Sequence, residues 1–314
     1  MAIKRPQDLD FSNKKFMVII SGAPGIGKTT LALSAPNPIL IDTDRGIARV
    51  RAEHRRVSSE PESYEELLED IQSDAYKAAD SVVIDTGGTL VQLMKGWAKK
   101  QEAKAAKDGR AMYGVIKTEF DRLCYQIRNV DKKHLIVVFH TTEQNKGDTV
   151  QTRLSCEGST KDIVWTPADF GGHMFMMGNK RMIGFSPTDE YFAKGCFGIQ
   201  GIMQVPDLKP GQPNDFLTRL FAQTQQVIAE EARGYAEDRA AYDEVMAEVG
   251  AYIEQVTDPD SAQAATEALN SAHHVLTSKA ELAARLKDKL AEQRLAWDKA
   301  GKCYVVLDDS KPAQ

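Results

Sequence analysis

Four short apolar runs punctuate the first half of the chain: Phe16–Ile20, Ile39–Ile41, Val82–Ile84 and Leu135–Phe139. None of them alternates apolar with polar, so each predicts a strand buried on both faces. Helical spacing fills the gaps. Tyr64, Leu67, Leu68 and Ile71 predict a helix over 63–79. Leu90 to Trp97 opens another, and Val115, Ile116, Phe120, Leu123 and Ile127 predict an amphipathic helix over 113–130. Strand, helix, strand in succession implies parallel pairing through right-handed crossovers. Phe175–Met177 and Arg181–Phe185 predict a hairpin around Gly178-Asn179-Lys180. The expected fold class is α/β with a mostly parallel sheet.

The pattern changes after Met203–Asp215, a stretch holding Pro206, Pro210, Gly211 and Pro213 that reads as a linker. Residues 1–212 are the expected core and 213–314 a C-terminal α-helical region. Apolar spacing from Phe216 to Val256 is helical, with Gly234 as a possible break. Asp258-Pro259-Asp260-Ser261 starts a second helix, and Ser278-Lys279-Ala280-Glu281 is a capping box for a third. Cys303–Leu307 is strand-like. No catalytic or metal-binding constellation stands in this half, and the adjacent His273 and His274 read as structural or surface residues.

The first apolar run leads into Ser21-Gly22-Ala23-Pro24-Gly25-Ile26-Gly27-Lys28-Thr29-Thr30. Strand, glycine loop, Lys-Thr and helix form the P-loop in its required context. Its glycines let backbone N–H groups curl around a phosphate, and the helix start adds partial positive charge. Gly22, Ala23, Pro24, Gly25, Ile26, Gly27, Lys28, Thr29 and Thr30 are the candidate cofactor-binding residues. Lys28 is placed to reach the terminal phosphates, and the Thr29 hydroxyl to coordinate Mg²⁺.

Three polar strand ends complete the candidate chemistry. Asp85 closes the third run, at the carboxyl end where ligands of open α/β sheets sit. It is the second candidate for Mg²⁺, opposite Thr29. Thr86 follows it, so the glutamate that many ATPases place there is missing. Asp44, after the second run, is the candidate to orient the attacking water. His140 ends the fourth run and is the candidate to sense the γ-phosphate.

Composition narrows the setting. The chain has 314 residues and a net charge of −5, so any nucleic-acid contact must come from local basic patches. Its four cysteines are scattered, which fits neither a zinc site nor a disulfide framework and suits a reducing cytoplasm. Residues 1–13 carry no signal-peptide core, and no apolar run approaches a membrane span. The basic run Arg45, Arg49, Arg51, Arg55 and Arg56 reads as a solvated face or irregular loop.

Ile41-Asp42-Thr43-Asp44, the P-loop, Val83-Ile84-Asp85-Thr86 and a fourth strand ending in His140 together resemble the short phage RecA-like P-loop ATPases. These are AAA-type nucleotide-binding proteins of single-strand annealing and recombination. The resemblance covers about residues 14–200. It implies a RecA-like core, ATP and Mg²⁺ as cofactors, single-stranded DNA as partner, and a homo-oligomeric ring or filament. A single-strand binding protein or another recombination protein is a further implied partner. Asp44 departs from the family's usual glutamate, being one methylene shorter, and His140 stands where many members have glutamine.

The resemblance also marks two DNA loops. The first is the basic segment with Lys99, Lys100, Lys104, Lys107 and Arg110; the second is the long polar stretch 141–165, with Lys146, Arg153 and Lys161. Their cations would neutralise phosphates without reading sequence, and Tyr113 and Trp165 could stack on bases. Lys194 could act on a neighbour's nucleotide. Three other readings remain open. A helicase loader or packaging ATPase shares the same core. A GTP-dependent switch would use Asp85-Thr86-Gly87-Gly88 as DxxG and Asn145-Lys146-Gly147-Asp148 as NKxD. A small-molecule kinase would carry lid arginines after the core.

Overall fold

The computed structural model describes residues 11, 13–146, 149–156 and 163–307. Two compact units divide the chain between Ile228 and Ala229.

The first unit opens with β1 (Met17–Gly22), α1 (Lys28–Ala32) and β2 (Pro38–Asp42), followed by the two-residue β3 (Ser58–Ser59). The helix expected over 63–79 divides into α2 (Tyr64–Asp70) and α3 (Asp74–Ala78). Ser73 is the cause: its side chain accepts the Tyr76 N–H and restarts the helix as an N-cap. Then come β4 (Ser81–Asp85), α4 (Gly87–Gln101) and α5 (Gly109–Tyr125). The fourth expected strand runs past His140. It is β5 (His134–Lys146), and it turns back as β6 (Thr149–Leu154). The polar stretch after His140 is thus a hairpin rather than a loop. Thr141 faces Leu154 and Asn145 faces Val150 across an antiparallel ladder, so backbone pairing replaces the missing apolar pattern. The expected hairpin is β7 (Phe170–Met177) with β8 (Lys180–Gly184), and β9 (Ile202–Gln204) closes the edge.

Among the described residues these strands form one sheet of nine, in the order β3-β2-β4-β5-β1-β7-β8-β9, with β6 paired to β5. Strands β3 to β7 along this path are parallel, and β8 and β9 run antiparallel. The fold is α/β with a largely parallel sheet. Both faces are buried, as unbroken apolar runs require. Met17 and Ile19 join the core under α2, α4 and α5. Phe16, Val18 and Ile20 join the core holding Leu31 of α1.

The helix α6 (Phe216–Glu254) crosses the division between the units. Leu217, Leu220 and Phe221, in its first turns, belong to the sheet's core, beyond the boundary expected at 212/213. It continues without a break through Gly234, whose cost of about 1 kcal/mol is small in so long a helix. In the second unit, α7 (Pro259–Ser271) starts at the Asp258–Ser261 capping box. The next helix, α8 (Ser278–Glu292), departs from expectation. Its N-cap is Thr277, without a side-chain cap bond. The Ser278 hydroxyl is buried and accepts the Val275 N–H at 3.2 Å, so it serves the preceding turn instead. His274 is structural, with one ring nitrogen 2.6 Å from the Leu269 carbonyl. A hairpin of β10 (Leu295–Asp298) and β11 (Cys303–Val306) completes this unit.

His134 locks the start of β5 to β1. The Phe16 N–H donates to its Nδ1 at 3.1 Å, which requires a neutral imidazole acceptor, and the ring stacks on Phe221 at 4.5 Å. Burial, with smaller contributions from Lys15 and Arg128, pushes its pKa down to about 3. The unfolded chain takes up this proton near pH 6.5. Between those values the unfolded state binds more protons, so stability falls as pH drops. The urea midpoint is expected to decline from pH 6.5 towards 3, and His134→Gln should make that decline shallower. An unchanged slope in the variant would remove His134 from this role.

Candidate functional site

The P-loop is held by backbone conformations that glycine supplies. Gly22 closes β1 at φ 151°, where a Cβ would lie 2.7 Å from the Met174 carbonyl oxygen. Gly27 caps α1 in the left-handed region, at φ 102°. The loop therefore folds tightly over the sheet's carboxyl end and presents Lys28 inward. The Lys28 ammonium is buried. It donates to the carbonyls of Gly22 at 3.0 Å and Ala23 at 2.9 Å, and lies 3.3 Å from His140 Nδ1. Burial lowers its pKa, while Asp85 and Asp44 pull it back up.

Strand register brings the partners in. Strand β5 lies between β1 and β4, so His140 pairs with Gly22 on one side while Asp85 stands at the end of β4 on the other. Thr29 Oγ1 donates to Asp85 Oδ2 at 2.5 Å. Burial raises the Asp85 pKa, and the Thr29 hydrogen bond opposes that rise. Asp44 lies beyond β2, 3.9 Å from His140 Nε2 and 3.3 Å from the Arg49 guanidinium. Asp42 is buried and accepts the N–H groups of Gly46 and Ile47, so it shapes the loop that carries Asp44. Lys28, Thr29, Asp44, Asp85 and His140, chosen from separate segments of sequence, thus meet at one end of the sheet.

This donor set fits a metal-bound triphosphate. The Thr29 hydroxyl and the Asp85 carboxylate are hard oxygen donors side by side, and Mg²⁺ is usually held by one or two such groups together with phosphates and water. Among the described residues no group of three or more His, Cys, Asp or Glu side chains could hold a metal by itself. Bound Mg²⁺ would supply charge neutralisation at the transferring phosphate. Lys28 would add a second positive charge, and Asp44, 3.9 Å from His140, is the candidate carboxylate for orienting water.

Residues 14–197 match the AAA domain family. The chain belongs to that family. Solved structures with a similar backbone include a KaiC-like protein from the hyperthermophilic archaeon Pyrococcus horikoshii OT3. It is 15% identical, with a TM-score of 0.36, and the match covers 62% of this chain and 90% of that one. No curated protein matches the sequence. The match makes this an AAA-type P-loop ATPase domain, with the P-loop, Thr29 and Asp85 as its candidate nucleotide site.

The expected DNA-facing residues are less concentrated. Lys99 and Lys100 end α4, Lys104 and Lys107 lie in the turn after it, and Arg110 starts α5; all five are exposed. Lys100 pairs with Glu65 at 2.8 Å. Lys146 ends β5, while Arg153 lies on β6 with its guanidinium 3.9 Å from the Phe192 ring centre. Lys161, Gly147 and Asp148 lie outside the described residues. Trp165 is not a free stacking platform: its ring packs against Gly171, where a Cβ would come within 1.9 Å. Lys194 is engaged within its own chain, donating to the Ala168 carbonyl at 2.5 Å.

Two neighbours of the P-loop are invisible in linear spacing. Arg181 of β8 donates to the Ile26 carbonyl at 3.1 Å. His173 of β7 lies 3.1 Å from Ser21 Oγ and stacks on Tyr191 at 4.6 Å. The pairing of β1 with β7, and of β7 with β8, brings them there.

Lys28→Ala is expected to abolish nucleotide-dependent activity and leave the far-ultraviolet circular dichroism unchanged; full turnover in this variant would overturn the P-loop assignment. Asp44→Asn should lower kcat for ATP about 100-fold with little change in KM, the loss expected when a positioned carboxylate leaves the attacking water. Steady-state phosphate release measures both constants.

Proposed function

We propose that this chain hydrolyses ATP and binds single-stranded DNA, acting in phage-type DNA recombination or annealing in the cytoplasm of the host cell. One observation carries the reading: His140 touches the P-loop lysine and also starts the projecting part of a hairpin. Six residues of β5, Thr141 to Lys146, extend beyond the paired end of β1, a reach of about 20 Å. The Ser155 N–H, just past β6, donates back to the His140 carbonyl at 2.7 Å. The hairpin is thereby anchored at the nucleotide site. A change at the γ-phosphate, felt by His140, has a short route to the hairpin, as in segments that nucleotides order or release.

The cations of the α4–α5 turn are the second support. Strand β3 runs parallel to β2, so α2 begins at the sheet's carboxyl end. The end of α4 lies over that start, with Trp97 against Tyr64 at 5.4 Å and Lys100 paired to Glu65. That exposed pair is screened by solvent and leaves Lys100 able to turn to a phosphate. A homo-oligomeric ring or filament follows the same logic. Asp44 and His140 keep 37% and 39% of their side chains exposed, so this side of the site is open to a neighbouring copy. A single-strand binding protein or another recombination protein is a further partner in this reading. The helicase-loader or packaging reading uses the same contacts, and strand annealing separates the two. Among the described residues no helix is long and apolar enough to cross a membrane.

Phosphate release from ATP and from GTP, each with and without single-stranded DNA at low salt, tests the proposal. ATP turnover that rises with DNA is the expected result. GTP preference without a DNA effect would sink it. Lys104→Ala and Lys107→Ala should each weaken DNA binding and lower its log–log salt slope by about 0.7, the value for one single-strand phosphate contact.

A further inference from the structure

Trp165, the ring expected to stack on bases, is packed against Gly171, and a different ring stands beside the hairpin. Residues 188–194 run as a strap along the edge of β6 that β5 leaves free. The Thr152 N–H donates to the Glu190 carbonyl at 2.6 Å, and Tyr191 bridges Thr152 in parallel. Thr188 Oγ1 accepts the N–H groups of Glu190 and Tyr191, each at 3.2 Å, and Lys194 pairs with Gly171 of β7. Bridged residues share a face, so Tyr191 turns the way Thr152 does. Its ring goes inward and stacks on His173 at 4.6 Å. Phe192, next in the chain, turns outward. Its side chain is 43% exposed, and the Arg153 guanidinium sits over its ring at 3.9 Å.

Register fixes what else shares this outer face. Alternate residues of a strand point to one side, and directly opposed residues of paired strands point to the same side. Arg153 faces Thr142 across the ladder, and Gln151 faces Gln144. These side chains therefore stand on the face that Phe192 joins, while Glu143, opposite Thr152, falls on the other. Among the described residues the Arg153 guanidinium has its ring contact and no acidic partner. Gln151 Oε1 is shielded from water and accepts no hydrogen bond from a described residue. Buried amide oxygens normally have a donor, so this one points to a group that a ligand brings. An exposed ring, a planar cation lying on it and nearby amides suit an unpaired nucleobase. Its π-face stacks on ring or guanidinium, and its edge meets the amides. A free phosphate would have no use for the ring, and an apolar peptide would find one ring among polar side chains.

We infer that Phe192 and Arg153 form a base-stacking platform for single-stranded DNA, with Gln144 and Gln151 beside it. The inference rests on the single-strand reading above and gives it a contact with bases, distinct from the neutralisation of phosphates by lysines. The platform is mounted on the nucleotide end of the molecule. Tyr191 and His173 lie beneath it, and His173 Nδ1 is 3.1 Å from Ser21 Oγ, at the start of the P-loop.

Fluorescence anisotropy of the full chain, with an oligothymidylate and with an abasic strand of equal phosphate number, tests this. The wild type should bind the base-bearing strand about tenfold more tightly, the gain of a stacked base. Phe192→Leu, which keeps an apolar side chain at this exposed position, should erase most of that preference and leave abasic affinity unchanged. Phe192→Tyr should keep the preference. Arg153→Lys, which retains the charge and loses the plane, should reduce it severalfold. Circular dichroism checks that each variant is folded. Equal weakening of both strands by Phe192→Leu, or no effect on the base-bearing strand, would overturn the inference. A wild type that binds both strands equally would remove the platform and leave the DNA reading standing. A wild type that binds neither would remove both.

Discussion

A lysine ammonium brought out of water sets the terms for the carboxyl end of this sheet. Lys28 is 5% exposed, and burial lowers its pKa more than Asp85 and Asp44 together raise it. The neighbouring groups divide the task of holding it. Two loop carbonyls accept from it, and His140 lies within 3.3 Å. Asp85 is buried too, and its own charge is disfavoured by burial more than any one neighbour favours it. A site in which both signs of charge are incompletely solvated is one that gains from a metal-bound polyanion, which brings opposite charge to each. The P-loop's left-handed glycine turns and the Thr29–Asp85 hydrogen bond hold that arrangement in place.

The sheet order decides who can take part. With β5 placed between β1 and β4, the strand that carries His140 lies beside both the P-loop strand and the Asp85 strand. The same strand continues as the hairpin. The side chain beside Lys28 and the hairpin therefore belong to one continuous piece of backbone. Its return at Ser155 lies against α4's start as well: a Cβ on Gly88 would meet the Ser155 carbonyl at 2.9 Å. A packed contact of this kind transmits a shift only if the element has two arrangements; the hairpin's β5 side is exposed along Thr142 to Asn145, while its β6 side is held by Arg153 on Phe192 and the Thr152–Tyr191 bridge.

Much of the core was legible because buried parallel strands are written as unbroken apolar runs. Phe16–Ile20, Ile39–Ile41, Val82–Ile84 and Leu135–Phe139 all became central strands, and their polar ends converged. What escaped notice was specified by pairing rather than by pattern. Strand β6 is mostly polar and half-buried, with no apolar alternation in its spacing to distinguish it from a loop. The start of β7, Phe170-Gly171-Gly172-His173, carries two glycines that weaken a strand signal, yet they are there for close approach: Trp165 covers one and Ile183 the other. Arg49 and Arg51 are exposed in an irregular segment, as the basic run was expected to be, and they also bond Asp44 and the distant Leu208 carbonyl. Ser278 misled for a related reason, since its hydroxyl turned back to Val275 instead of forward into the helix.

The guanine-reading alternative meets a geometric difficulty. Asn145 pairs with Val150 near the outer end of the hairpin, five residues past His140 and so about 17 Å along the strand. The cavity that borders the P-loop is lined by α1, residues 49–54 and residues 205–216, none of them from the hairpin that carries Asn145. The glycines of Asp85-Thr86-Gly87-Gly88 also have a packing explanation: a Cβ on Gly87 would fall 2.2 Å from the Phe139 ring. Close helix-to-sheet approach therefore accounts for that glycine without any role in nucleotide recognition. The two short guanine-type patterns thus have structural accounts, in helix packing and in the hairpin ladder, which leaves the P-loop with Thr29, Asp85, Asp44 and His140 as the candidate nucleotide contacts.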